Sequence, residues 1–147
     1  MNTSVELFRG HELQLAFHYA IGYEGFDYFK EYDCWRAEMK YGDAGICGVS
    51  IINAQNGRFR NRAYYKDLSD TAILRELRSE NIGLQWDDDS YYELYFQALP
   101  EIRASAPDLA SAYMKVMIKK RFGDSIPYED IEKMNLLKTR IKEGHPL

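Results

Sequence analysis

Asn56-Gly57, set between two stretches of extended character, constrains this chain more than any other pair of residues. A two-residue type I′ turn needs positive φ at both central positions, which Asn-Gly supplies more readily than other pairs. Val49-Ser50-Ile51-Ile52-Asn53-Ala54-Gln55 leads into the turn, and Arg58-Phe59-Arg60-Asn61-Arg62-Ala63-Tyr64-Tyr65 leads out. The register follows: Gln55 faces Arg58, Ala54 faces Phe59, Asn53 faces Arg60, and Ile52 faces Asn61. Ala54, Phe59 and Ile52 then form the core side, while Arg58, Arg60 and Arg62 share the other side with Asn53 and Gln55. A hairpin over about 46–65 is therefore expected.

Helical patterns surround it. Val5-Glu6-Leu7-Phe8 reads as a short strand stopped by Arg9-Gly10, after which Leu13, Phe17, Ala20 and Ile21 recur at helical spacing. Phe29, Trp35 and Met39 suggest a second helix from about Phe26 to Tyr41, closed at Gly42, although the aromatics would also suit strands. Ser69 or Asp70 can cap a helix holding Ile73, Leu74 and Leu77, and Leu84-Gln85-Trp86 is a candidate strand. Ser90 with Glu93 has the form of a capping box, opening a helix with Tyr91, Leu94, Tyr95 and Leu99 that ends or kinks at Pro100. Ser105 with Asp108, and Pro107 in the first turn, opens a helix carrying Leu109, Tyr113, Val116 and Met117 to Gly123. A last helix starts near Pro127 and buries Tyr128, Ile131, Met134, Leu137 and Ile141. The sum is one α+β domain over residues 1–147: a small antiparallel sheet with the hairpin packed against helices, and a helical C-terminal half from about 90 to 143.

Composition narrows the function classes. An apolar content of 46%, with four Pro and ten Gly, excludes a disordered or collagen-like chain. No run approaches the roughly 18 apolar residues a membrane helix needs, and Met1-Asn2-Thr3-Ser4-Val5-Glu6 lacks the features of a signal peptide. Two cysteines do not make a disulfide scaffold, so a cytoplasmic protein is expected, with no membrane partner. The net charge of −4 argues against bulk nucleic-acid binding. Oligomeric state is left open.

Chemical motifs are sparse. His11, His18, His145, Cys34 and Cys47 include no pair at zinc-ligand spacing, and no metal or cofactor is expected. Cys34, which His18 could approach in the fold, is the one nucleophile to name, and its default reading is a small buried hydrophobe. The chain has no P-loop, G-x-S-x-G elbow, G-x-G-x-x-G or H-E-x-x-H. The C-terminal helices, joined by Gly123-Asp124-Ser125, read as an antiparallel pair and not as a DNA-binding helix-turn-helix, because the second begins with acidic residues.

Two surface features carry the functional expectation. Arg58, Arg60 and Arg62, with Lys66, would present forked donors to an anion or a nucleic acid. At the opposite pole, Trp86-Asp87-Asp88-Asp89-Ser90-Tyr91-Tyr92 combines carboxylates with aromatics. Tyr is enriched in interfaces for its large area and polar tip. The chain holds twelve Tyr; Tyr95, Tyr113 and Tyr128 fall on apolar faces, whereas the adjacent pairs Tyr64-Tyr65 and Tyr91-Tyr92 cannot both be buried on one face. Trp86, Asp87, Asp88, Asp89, Tyr91 and Tyr92 are the expected partner-binding residues. The expected function is non-enzymatic: a protein-binding domain that inhibits or regulates a protein partner, of the toxin-immunity or phage anti-defence type.

Phe8-Arg9-Gly10, at the end of a predicted strand, is similar to the opening motif of some small ADP-ribosyltransferase-like domains. That resemblance implies a small nucleotide-using enzyme with Arg9 on phosphate, although the family's Ser-Thr-Ser strand and Glu-x-Glu turn are not visible here. A third expectation is a nucleic-acid-binding module using the arginine face of the hairpin, with Phe59, Tyr64 and Tyr65 for stacking.

Overall fold

The computed structural model describes residues 2–29, 34–40, 46–52, 68–86 and 91–134, with the backbone alone at 10–11, 27–29, 34–36, 38–40 and 46–52. Strand β1 (Asn2–Ser4) and a 3-10 turn (Val5–Leu7) precede helix α1 (Gly10–Ala20). Strands β2 (Tyr23–Phe29), β3 (Cys34–Lys40) and β4 (Ile46–Ile52) follow, then helix α2 (Asp70–Ser79). Strands β5 (Ile82–Trp86), β6 (Tyr92–Phe96) and β7 (Arg103–Ala106) lead to helix α3 (Leu109–Phe122). Strand β8 (Ser125–Pro127) and helix α4 (Tyr128–Lys133) complete the described chain. The strands form two three-stranded antiparallel meanders, β2-β3-β4 and β5-β6-β7, and a two-stranded ribbon of β1 with β8. The class is α+β, as the sequence implies.

Helix α3 lies at the centre. Leu109, Ala112, Tyr113 and Val116 are buried on one side, and Met114 and Ile118 on another. A helix that is apolar on several sides needs neighbours on several sides. It has them: α3 packs on α1, α2, β6 and β7. Asp108 caps it, its carboxylate accepting from the Ser111 N–H at 2.8 Å and the Ser111 hydroxyl at 2.9 Å. Ser105, expected to help open this helix, lies in β7 instead. Against α3, the β5-β6-β7 meander turns Ile82, Leu94, Phe96, Ala104 and Ala106, all buried. Phe17 of α1 is fully buried, with its ring centroid 5.5 Å from that of Tyr113.

Four expectations are corrected. Within the helix expected over 26–41, residues 26–29 and 34–40 belong instead to β2 and β3. Between Glu24 and Asp27 the register shifts, so that Gly25 and Phe26 together oppose Ala37. Gly25 has φ +67°, the conformation that a bulge with glycine first requires. The inserted residue breaks strict alternation, which hid the strand. Residues 91–99 are not a helix either, since β6 runs through them. Its inward Tyr92, Leu94 and Phe96 match Trp86, Leu84 and Ile82 across one ladder and the alanines of β7 across the other. Glu93, expected in a capping box, instead pairs with Arg103 at 2.9 Å. Cross-strand packing outweighed local helical spacing here. Third, the strand expected at residues 5–8 lies one step earlier, over Asn2–Ser4. Fourth, Tyr128 is exposed and not core, while Tyr95 is half-buried and Tyr113 fully so. The expected return strand of the hairpin, its Asn56-Gly57 turn and residues 135–147 lie outside the described residues. The segment 46–52 is a strand, as expected, and it pairs with β3.

One contact joins distant parts of the chain. The Tyr19 hydroxyl of α1 donates to Asp130 of α4 at 2.6 Å, and Arg121 donates to the Tyr19 and Ala20 carbonyls at 2.9 and 3.3 Å. Burial, reinforced by the Asp130 hydrogen bond, pushes the Tyr19 phenol up to about 12 from an ordinary value of 10. A group whose pKa is raised on folding contributes stability that is complete below its unfolded pKa and is lost as pH rises through the folded one. Tyr19→Phe is therefore expected to cost about 1–2 kcal/mol at pH 7 and to flatten the decline of stability between pH 10 and 12. Urea unfolding at pH 7 and pH 11 checks both; an unchanged slope across that window refutes the link.

Candidate functional site

The β5-β6-β7 meander presents two unlike faces. Its inner face is buried near Ile82 and Phe96, but at the far end Leu84 is 44% exposed and Trp86 61% exposed. Both lie on the apolar side of an edge strand, beyond the cover of the helices. The Trp86 ring meets the Tyr92 ring edge-on, with centroids 4.5 Å apart and planes at 89°. Such pairs favour this geometry because a ring's positive edge meets its neighbour's negative face. Trp86 thus stands in water yet is braced by Tyr92. Tyr91, next in the chain, is 40% exposed.

The outer face is polar. Arg103 pairs with Glu93, and its guanidinium lies 5.7 Å from the centre of the Tyr95 ring. The Tyr95 ring in turn covers Gly83, its register partner. A Cβ at position 83 would stand 2.3 Å from the Tyr95 Cζ, so no larger residue fits without moving that ring.

Of the expected partner-binding residues, Trp86, Tyr91 and Tyr92 come together at this end of the meander. Asp87, Asp88 and Asp89 lie outside the described residues, as do Arg58, Arg60, Arg62 and Lys66. Tyr91 and Tyr92 divide into one exposed and one half-buried side chain, at the entry to a strand and not on a helix. Cys34 and Cys47 lie on β3 and β4. His18 is buried; its Nδ1–H donates to the Gln14 carbonyl at 2.7 Å, and its ring packs against Phe17 and Tyr23. Between α3 and α4 runs β8, paired with β1, so these helices do not form a helix-turn-helix. Among the described residues, no group of three or more His, Cys, Asp or Glu is placed to hold a metal, and no helix is long and apolar enough to cross a membrane.

A second feature escaped the sequence. A cleft of about 420 Å³ opens between the 3-10 turn with the start of α1, the end of β7 and the first turns of α3. Its polar groups come from Glu6, Arg9, Asp108, Ser111 and Lys115, and Tyr91 contributes a wall. Glu6 lies between two lysines, 2.6 Å from the Lys119 Nζ and 3.6 Å from the Lys115 Nζ. Burial alone would raise the Glu6 carboxyl, but the Lys119 hydrogen bond and charge, with help from Lys115, outweigh it and hold it below the usual carboxylate value.

No protein-family model matches this chain, and no curated protein is significantly similar to it.

Proposed function

We propose that this chain is a non-enzymatic protein-binding domain that inhibits or regulates a basic protein partner, in the manner of toxin-immunity or anti-defence inhibitors. The observation that carries this reading is Trp86, 61% exposed on a strand and braced by Tyr92. A large aromatic held on a rigid strand loses little rotamer freedom when a partner covers it, which is why Trp and Tyr dominate interface energetics. Leu84 on the same face and Tyr91 beside it enlarge the apolar contact. Asp87, Asp88 and Asp89 follow Trp86 directly in the sequence and supply charge that steers a basic surface.

The test begins with affinity capture on the immobilised protein, followed by binding measurements with the purified partner. A basic partner recovered in stoichiometric amount and lost with Trp86→Ala supports the reading. Recovery of no stoichiometric partner by the folded protein overturns it. Replacing Asp87, Asp88 and Asp89 together by Asn is expected to slow association about tenfold or more at low salt and to weaken its salt dependence. Stopped-flow or surface-based kinetics at two ionic strengths reads this, and an unchanged on-rate excludes steering by these carboxylates.

A further inference from the structure

We propose that the cleft at Arg9 is a binding site for a small molecule with a single oxyanion head group, a phosphomonoester or a carboxylate, carried on a flat ring. This site borders the Trp86 surface at Tyr91 but does not depend on the reading given to that surface.

The charges in the cleft are unequally satisfied. The Asp108 carboxylate is occupied by the Ser111 amide and hydroxyl, and Glu6 is held most closely by Lys119. Arg9 caps α1 without a side-chain hydrogen bond and forms no ion pair among the described residues. Lys115 touches Glu6 only at 3.6 Å, and its side chain is 15% exposed. The donors on offer are thus the Arg9 guanidinium, whose planar fork matches two oxygens of a carboxylate or phosphate, and those protons of the Lys115 ammonium that its ion pair with Glu6 does not use. Partial burial strengthens what Lys115 offers, because attraction grows as the effective dielectric falls.

The remaining walls select the rest of the ligand. Phe8 and Leu13 are buried beneath the cleft, and the exposed Tyr91 ring stands beside it. A flat apolar ring can lie against Tyr91, over a floor backed by Phe8 and Leu13, while the head group meets Arg9 and Lys115. The volume is at the small end of ligand sites, room for one head group and one ring system. Glu6 and Asp108 flank the cations and repel further negative charge, which disfavours di- and triphosphates.

Isothermal titration of the full chain with adenosine monophosphate, benzoate, adenosine and adenosine triphosphate tests the proposal. Adenosine monophosphate, benzoate or both are expected to bind, more tightly than adenosine or the triphosphate. Binding of the monophosphate alone identifies a phosphate head group, and binding of benzoate alone a carboxylate. Arg9→Gln is expected to weaken that binding by about tenfold to a hundredfold, the cost of one charge-assisted contact pair. Arg9→Lys should recover part of it. Arg9 is exposed, so the variant should melt as the wild type does, and Lys115→Gln provides an independent second variant. The proposal fails if neither anion binds the folded protein, if the triphosphate or adenosine binds as tightly as the tighter of the two anions, or if both Arg9→Gln and Lys115→Gln bind as the wild type does.

Discussion

Trp86→Ala is expected to lower affinity for the partner by about thirtyfold to a thousandfold, or about 2–4 kcal/mol, the range for a central aromatic anchor. The expected effect on folding is much smaller. Trp86 is 61% exposed, so truncation removes little buried area, and the edge-on contact with Tyr92 is worth about 1 kcal/mol. The two measurements therefore separate: binding collapses while the melting temperature moves by a few degrees. Leu84→Ala should act in the same direction with a lesser effect, because it removes an aliphatic group from the same face. Leu74→Ala is the matched control, being 50% exposed but on α2. If Leu74→Ala weakens binding as much as Trp86→Ala does, the contact surface is not the end of the β5-β6-β7 meander.

Phe17→Ala should have the largest effect on stability. The side chain is fully buried at the α1–α3 junction, against Tyr113 at 5.5 Å and beside His18 at 5.3 Å. Deleting a buried aromatic removes its transfer free energy and leaves a cavity, at a combined cost of about 3–5 kcal/mol. For a chain of this size, that lowers the melting temperature by roughly 10 °C. Domains of this kind hold only about 5–15 kcal/mol in all, so the variant sits near the edge of folding at 37 °C. Denaturant unfolding measures the loss, and a cost below about 1 kcal/mol would mean that α1 and α3 do not pack through this ring.

The helices were legible in the sequence because their signals are local. Ser69 caps α2 with its hydroxyl accepting from Ala72, Asp108 caps α3, and Leu13 and Phe17 mark the buried side of α1. Strands β2 and β6 were not legible, since each owes its form to something outside its own residues. In β2 the bulge at Gly25 shifts the alternation, and its cause is the pairing with β3. In β6 the spacing of Tyr91, Leu94 and Tyr95 imitates a helix, and only β5 and β7 on either side decide the matter. The same distinction divides the candidate sites. Trp86 and Tyr91 are near neighbours, and their exposure could be anticipated. The Arg9 cleft joins residues 6–9 to residues 105–115, and nothing in the sequence brings those together. Arg9 drew notice only through a three-residue resemblance, and no matching Ser-Thr-Ser strand or Glu-x-Glu turn accompanies it.

The pairing of β1 with β8 joins residues far apart in the chain, unlike the pairings within the two meanders. Both meanders join strands that follow one another in the chain, so their contacts close short loops and form early. Asn2 pairs with Pro127, and closing so long a segment costs more chain entropy for only three residue pairs. The ribbon is therefore expected to pair last, after α1 and α3 have brought its two strands together, and to open first. In native-state hydrogen exchange, the amides that pair Thr3 with Ile126 should exchange through a smaller opening than those that pair Gly83 with Tyr95. Glu6, one turn beyond β1, ties this end of the chain to Lys119 of α3.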